Sequence, residues 1–180
     1  MSNFNSQKII APIMRFVNMK GIIALKDGML AILPLTVVGS LFLIIGQLPF
    51  EGLNQAIASV FGDTWTEPFM QVYSGTFAIM GLISCFSIGY SYAKNSGVEP
   101  LPAGVLSLSS FFILLKSSYV PAKGEPIGDA IAKVWFGGQG IIGAIIIGLV
   151  VGAIYTVFIQ RHIVIKMPEQ VPQAIAKQFE

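Results

Sequence analysis

Charge is what this chain has least of. Only 11% of its 180 residues are Asp, Glu, Lys or Arg, while 54% are hydrophobic and the mean hydropathy is +0.74. An ordinary soluble domain carries roughly 25% charged residues. A water-soluble fold of this size needs a polar surface that these residues cannot cover. One cysteine, Cys85, excludes a disulfide framework within the chain. Lying in an apolar run, it reads as a small packing residue. One histidine, His162, has no second histidine or cysteine with which to hold a metal, and no cofactor is expected. A net charge of +2 is too small to suggest a nucleic-acid partner. No apolar run holds an Asp, Glu or His near its middle. That absence argues against an ion pump, an intramembrane protease or a complete sugar site in this chain alone. Ser107, Ser109 and Ser110 have no accompanying base, so they form no nucleophile set and read as helix-to-helix hydrogen bonds.

What is present is a set of long apolar runs. Met29–Gln47, Met70–Ala93 and Gly137–Gln160 carry no charge, and Leu101–Leu115 ends at Lys116. Crossing a hydrocarbon core about 30 Å thick takes roughly 20 residues of helix. The third run reaches that length, as 100–120, only if Lys116 snorkels to the headgroups. Backbone groups in lipid must bond internally, so each run is expected to be helical. The expected fold is an all-α integral membrane bundle of about four transmembrane helices, with short amphipathic helices beside them. The chain divides into an interfacial segment 1–28, a transmembrane bundle 29–160 and a tail 161–180.

Charge placement orients the bundle. Lys8, Arg15, Lys20 and Lys26 precede the first span, whereas Glu51, Asp63 and Glu67 stand alone between the first and second. Lys94 follows the second span, and Arg161 and Lys166 follow the fourth. Positive residues favour the cytoplasm, so the chain is expected to be a multi-pass protein of a bacterial cell (inner) membrane with both termini cytoplasmic. The 116–136 loop, with Lys116, Lys123 and Lys133 against Glu125 and Asp129, gives no clear charge signal. Met1–Gln7 is polar and no cleavage site follows, so the first span is expected to stay as an anchor. Tyr73, Trp65, Tyr119 and Trp135 suit interfacial positions.

Three stretches have helical amphipathic spacing: Ile10, Ile13, Met14 and Val17; Leu53, Ile57, Val60 and Phe61; and Ile127, Ile131, Val134 and Trp135. Small residues recur every four positions as Gly81, Cys85 and Gly89, and again as Gly140, Ala144, Gly148 and Gly152. Such stripes let helices approach closely, within one chain or between two. Pro34 should kink the first span, with Thr36 and Ser40 re-satisfying the freed backbone.

The run Lys26-Asp27-Gly28-Met29 through Pro34-Leu35-Thr36 to Gly39-Ser40-Leu41-Phe42 resembles the first span of a transporter family. The family is the enzyme IIC membrane component of sugar phosphotransferase systems, of the lactose/cellobiose type. Leu33 stands where methionine is usual. Val134-Trp135-Phe136-Gly137-Gly138-Gln139-Gly140 and Ile165-Lys166-Met167-Pro168-Glu169-Gln170-Val171-Pro172 are similar to further family elements, with departures at Gln170 and Gln173. The resemblance implies the N-terminal, scaffold and homodimer-interface part of a larger permease for a β-linked disaccharide such as cellobiose, lactose or chitobiose. Its later half, or a split subunit, would hold the sugar-binding glutamate and histidine. His162 matches neither. Cytoplasmic enzymes IIB and IIA would perform phosphoryl transfer, so the chain is not expected to be an enzyme by itself. Lys26 and Asp27 match a charged pair before the family's first span, expected to act as a salt bridge or topology signal. The alternative is a self-sufficient small membrane protein, either a vitamin-uptake binding subunit or a non-transport helical scaffold.

Overall fold

The computed structural model describes residues 15–121, 125 and 127–163. The expected inner-leaflet helix around Ile10–Val17 and the tail from Lys166 fall mainly or wholly outside them. The first apolar run is two helices, α1 (Lys20–Ala31) and α2 (Leu33–Gly46), bent by 42°. The bend falls at Ile32, with Pro34 in the first turn of α2. Proline there removes a backbone donor and crowds the carbonyl four residues back, so a continuous helix cannot pass through it. Thr36 Oγ1 donates to the Ile32 carbonyl at 3.0 Å, but that carbonyl already accepts the Thr36 backbone N–H, so the hydroxyl does not re-satisfy the Leu30 carbonyl, whose helical donor Pro34 removes. Ser40, expected to share that work, instead donates to the Val37 carbonyl at 2.9 Å. Helix α1 begins well before Met29, so Lys26 and Asp27 lie inside a helix and not ahead of one.

After the amphipathic α3 (Glu51–Phe61) come α4 (Glu67–Gly75), a 3-10 turn at Phe77–Ile79, and α5 (Met80–Asn95). Together these form one 29-residue apolar element, Glu67–Asn95. Its irregular point is Thr76, whose Oγ1 donates to the Val72 carbonyl at 2.6 Å. Helix α6 (Pro100–Leu114) is shorter than expected. The extension to Val120 does not form. Leu115 turns to extended backbone, and Ser118–Tyr119 (β1) pairs antiparallel with Ile127–Gly128 (β2). Fifteen helical residues reach only about 22 Å at 1.5 Å each. The expected amphipathic helix through Ile127–Trp135 is also corrected: this segment holds β2 and a 3-10 turn at Lys133–Phe136. Asp129 adopts φ 54°, a left-handed conformation that interrupts any helix there. A second 3-10 turn, Gly138–Gly140, leads into α7 (Ile141–Gln160).

Close contacts fix the directions of these helices. Gly46 faces Met70, Gly39 faces Phe77 and Gly28 faces Ile88. The bent α1–α2 pair therefore runs antiparallel to α4–α5. Gly104 faces Phe86 and Gly89 faces Ala103 and Ser107, which makes α6 antiparallel to α5. Gly148 meets Cys85, Gly152 meets Gly89 and Tyr92, and Gln160 Nε2 donates to the Ser96 carbonyl at 3.0 Å. Helix α7 thus runs parallel to α5. Three helices, α1, α6 and α7, pack against α5, which is the centre of the bundle. Asn95, Pro100 and Gln160 share one end, and Gly46, Leu114 and Trp135 the other.

If Pro34 sets the bend, Pro34→Ala should straighten α1–α2. Spin labels at Lys20 and Gln47 should then move apart by roughly 3 Å, as expected from helices of these lengths. An unchanged distance would assign the bend to the contacts at Gly28 and Gly39 instead.

Candidate functional site

The described residues hold no group of three or more His, Cys, Asp or Glu side chains that could bind a metal. Their buried polar side chains are all hydroxyls: Ser84, Ser91, Ser107 and Thr156. What the chain builds is a close-packed seam. Cys85 and Ala144 are fully buried with Phe111, and Leu82, Leu115, Phe136 and Ile147 pack around them. Cys85 Sγ donates to the Ser107 carbonyl at 3.2 Å, linking α5 to α6. The Ser107 hydroxyl turns back to its own helix, donating to the Ala103 carbonyl at 2.8 Å. Only its carbonyl forms the helix-to-helix hydrogen bond that the serine cluster suggested, and Ser109 is exposed.

The glycines of the seam are not interchangeable with alanine. A Cβ on Gly148 would lie 2.8 Å from the Cys85 carbonyl oxygen. On Gly81 it would lie 2.9 Å from the Phe136 carbonyl, and on Gly152 3.2 Å from the Gly89 Cα. At Gly89 it would overlap the Ser107 side chain. Gly140 differs from the others in its stripe, because its neighbour is the Trp135 carbonyl within the preceding turn. Its closeness belongs to the entry of α7 and not to the face against α5. Gly28 and Gly39 are tighter than Gly81, Gly148 or Gly152. A Cβ would meet the Ile88 backbone nitrogen at 2.8 Å and the Phe77 nitrogen at 2.7 Å respectively. The sequence stripes did not include these two. Their signal was an 11-residue spacing, close to three full turns, which places both on one side of a helix.

At the Asn95 end, a cleft of about 380 Å³ opens between α1 and α5. Asp27, Ser87, Tyr90, Ser91, Lys94 and Asn95 supply its polar lining. Asn95 Nδ2 donates to Asp27 Oδ2 at 2.8 Å, joining residues 68 apart in sequence. Lys26 Nζ lies 3.3 Å from Asp27 Oδ1, but the lysine is 64% exposed. Exposed pairs of this kind contribute little to stability. The Asp27–Asn95 bond is therefore the contact that ties the charged pair to the bundle.

The Phosphotransferase system, EIIC family model matches residues 26–180. This chain belongs to that family. It is 38% identical to the lichenan permease IIC component of Bacillus subtilis (strain 168), over 96% of this chain and 39% of that protein. It is 38% identical to the cellobiose-specific EIIC component of Geobacillus stearothermophilus, over 87% of this chain and 36% of that one. Among solved structures it is similar to the transporter ChbC, the IIC component from the N,N'-diacetylchitobiose-specific phosphotransferase system. The TM-score is 0.82 at 34% identity, covering 96% of this chain and 41% of ChbC. The chain thus spans about two fifths of the length of the relatives it matches. Its fold is that of one part of an EIIC membrane transporter, an all-α bundle of apolar helices.

Cys85 reports on the seam directly. In detergent or nanodiscs it should resist maleimide labelling until the protein is unfolded. Gly148→Leu should expose it, raising the labelling rate by at least about tenfold if the seam opening costs 1.4 kcal/mol or more less than in the parent. Equal rates in the two proteins would remove Gly148 from the packing of α5 on α7.

Proposed function

We propose that this chain supplies the scaffold part of an EIIC sugar permease for β-linked disaccharides or short oligosaccharides. The observation that carries the reading is the ChbC-like fold over 96% of the chain, together with relatives whose names specify lichenan and cellobiose. The seam supports a scaffold role. Glycine contacts against backbone leave little freedom for α5 to slide on α1 or α7, and the described core holds no ionisable group that could bind or protonate a sugar. Sugar recognition would then fall to the remainder of the permease, and phosphorylation of the incoming sugar to enzymes IIB and IIA.

The same reading places the Asn95 end at the cytoplasmic face of a bacterial cell membrane, because Lys20, Lys26, Lys94 and Arg161 belong to segments at that end while Glu51, Asp63 and Glu67 belong to the opposite one. Both termini would be cytoplasmic. Exposed apolar residues of α7, Ile142, Ile146, Val150 and Ile154, leave a continuous face for lipid or for a second protomer of a homodimer. The Asp27–Asn95 bond would brace the cytoplasmic end of the scaffold.

Labelled cellobiose uptake tests the division of labour in cells that lack β-glucoside transport. The chain alone should give none. Co-expression with the later half of the lichenan permease should give uptake that depends on phosphoenolpyruvate. Uptake by the chain alone would refute the scaffold reading, and no uptake from the pair would refute the sugar reading.

A further inference from the structure

At the Trp135 end, the chain leaves a cleft of about 570 Å³ between the end of α6, strand β1 and the 3-10 turn Lys133–Phe136. Its walls are mainly apolar, including Leu114, Val120, Val134 and the ring of Trp135. Lys116 and Ser118 bring an ammonium and a hydroxyl to it, and Tyr119 a phenol. No carboxylate lines it: Glu125 and Asp129 belong to the same loop but are not among the lining residues. Lys133, next to Val134, is already engaged, donating to Ser74 Oγ. Lys116 is exposed and has no hydrogen bond or salt bridge among the described residues.

The cleft sits where α6 falls short. An apolar helix of about 22 Å falls short of a core of about 30 Å, so the bilayer thins here, flanking residues such as Lys116 snorkel, or a bound molecule fills the difference. At the end of α6, Ile113 is 80% and Leu114 70% exposed, giving a bare apolar strip that leads out of the cleft. Trp135 and Tyr119, both about half exposed, are residue types that sit at headgroup level. A lysine, two interfacial aromatics and an apolar strip gathered at one cleft supply a partner for each part of a phospholipid: anionic phosphate, ester region and acyl chain. An oligosaccharide would need more hydrogen-bonding groups than a cleft with these few polar side chains offers.

We propose that this cleft seats one phospholipid with an anionic headgroup. Lys116 pairs with the phosphate, Tyr119 and Trp135 flank the ester region, and an acyl chain lies along Leu114 and Ile113. The lipid thickens the apolar perimeter beside the short α6. The inference requires only that the chain is embedded in a membrane and does not depend on which sugar the family member carries.

Fluorescence quenching tests it on the full chain in nanodiscs. Trp65→Phe leaves Trp135 as the sole tryptophan, and brominated phosphatidylglycerol or brominated phosphatidylcholine is added to an unbrominated phosphatidylcholine bilayer. One lysine near a membrane surface favours an anionic lipid by about fivefold. The anionic lipid should therefore half-quench Trp135 at about one fifth of the mole fraction that the zwitterionic lipid needs. Lys116→Gln, a change at an exposed side chain, should abolish the difference. Equal quenching by the two lipids in the parent, or a preference that survives Lys116→Gln, would overturn the proposal. So would relief of quenching by millimolar glycerol phosphate or cellotetraose, either of which would show that the cleft takes a soluble ligand.

Discussion

Lipid gives two apolar helices no hydrophobic reason to touch, because acyl chains solvate leucine as well as leucine does. Everything in this bundle follows from how that constraint is met. Association has to come from dispersion between closely approaching surfaces, and dispersion falls off steeply with separation. The chain answers by placing glycine wherever a neighbour comes closest to α5. Gly28 on α1 and Gly148 and Gly152 on α7 bring their backbones onto α5, and the helix's own Gly81 and Gly89 admit the Phe136 carbonyl and the Ser107 side chain. Few larger side chains lie in the fully buried core, where Phe111 and Ile88 are the largest below 2% exposure. The consequence for the bundle is rigidity. A seam made of backbone against backbone cannot repack gradually, which accords with the proposed scaffold role.

The irregular points of the helices sit next to this seam. The bend at Ile32 falls between the tight contacts at Gly28 and Gly39, so each half of the bent pair follows its own partner, α1 along α5 and α2 along α4. Thr76, where the second apolar element becomes irregular, packs against Gly39. At the second break threonine keeps the local hydrogen bonding: the Thr76 N–H shifts to the Tyr73 carbonyl and its hydroxyl takes the Val72 carbonyl, as backbone in lipid requires. Apart from Cys85 Sγ with the Ser107 carbonyl, the side-chain hydrogen bonds between helices and their connecting segments gather at the ends among the described residues. Asp27 with Asn95, and Gln160 with the Ser96 carbonyl, close one end, while Lys133 with Ser74 closes the other.

How much of this could be read in the residues depended on the distance over which each signal acts. The apolar runs and the four-residue stripes at Cys85 and Gly148 are local patterns, and one face of one helix displays them. The family match was legible for the same reason, since Lys26-Asp27-Gly28 and Phe136-Gly137 are contiguous strings. Gly28 and Gly39 escaped because Pro34 and the bend lie between them, hiding an 11-residue period. The break at Thr76 escaped because apolar composition is indifferent to backbone angles. The Ile127–Trp135 stretch misled because helical spacing was present without helical backbone: Asp129 takes a left-handed φ of 54° there. The Asp27–Asn95 bond joins residues 68 apart in sequence, the cleft beside Trp135 depends on how one irregular loop folds back, and no local pattern announces either.

The central claim is that the bundle's stability resides in backbone-close contacts on α5 and not in its apolar content at large. The most direct measurement is reversible unfolding in mixed micelles of single glycine-to-alanine variants. Gly28→Ala, Gly148→Ala and Gly152→Ala should each lose about 1–3 kcal/mol through overpacking. Gly52→Ala and Gly143→Ala, where nothing lies within 4 Å of the new Cβ, should be unchanged or slightly more stable, since alanine favours helix. Equal stability across both sets would contradict the account.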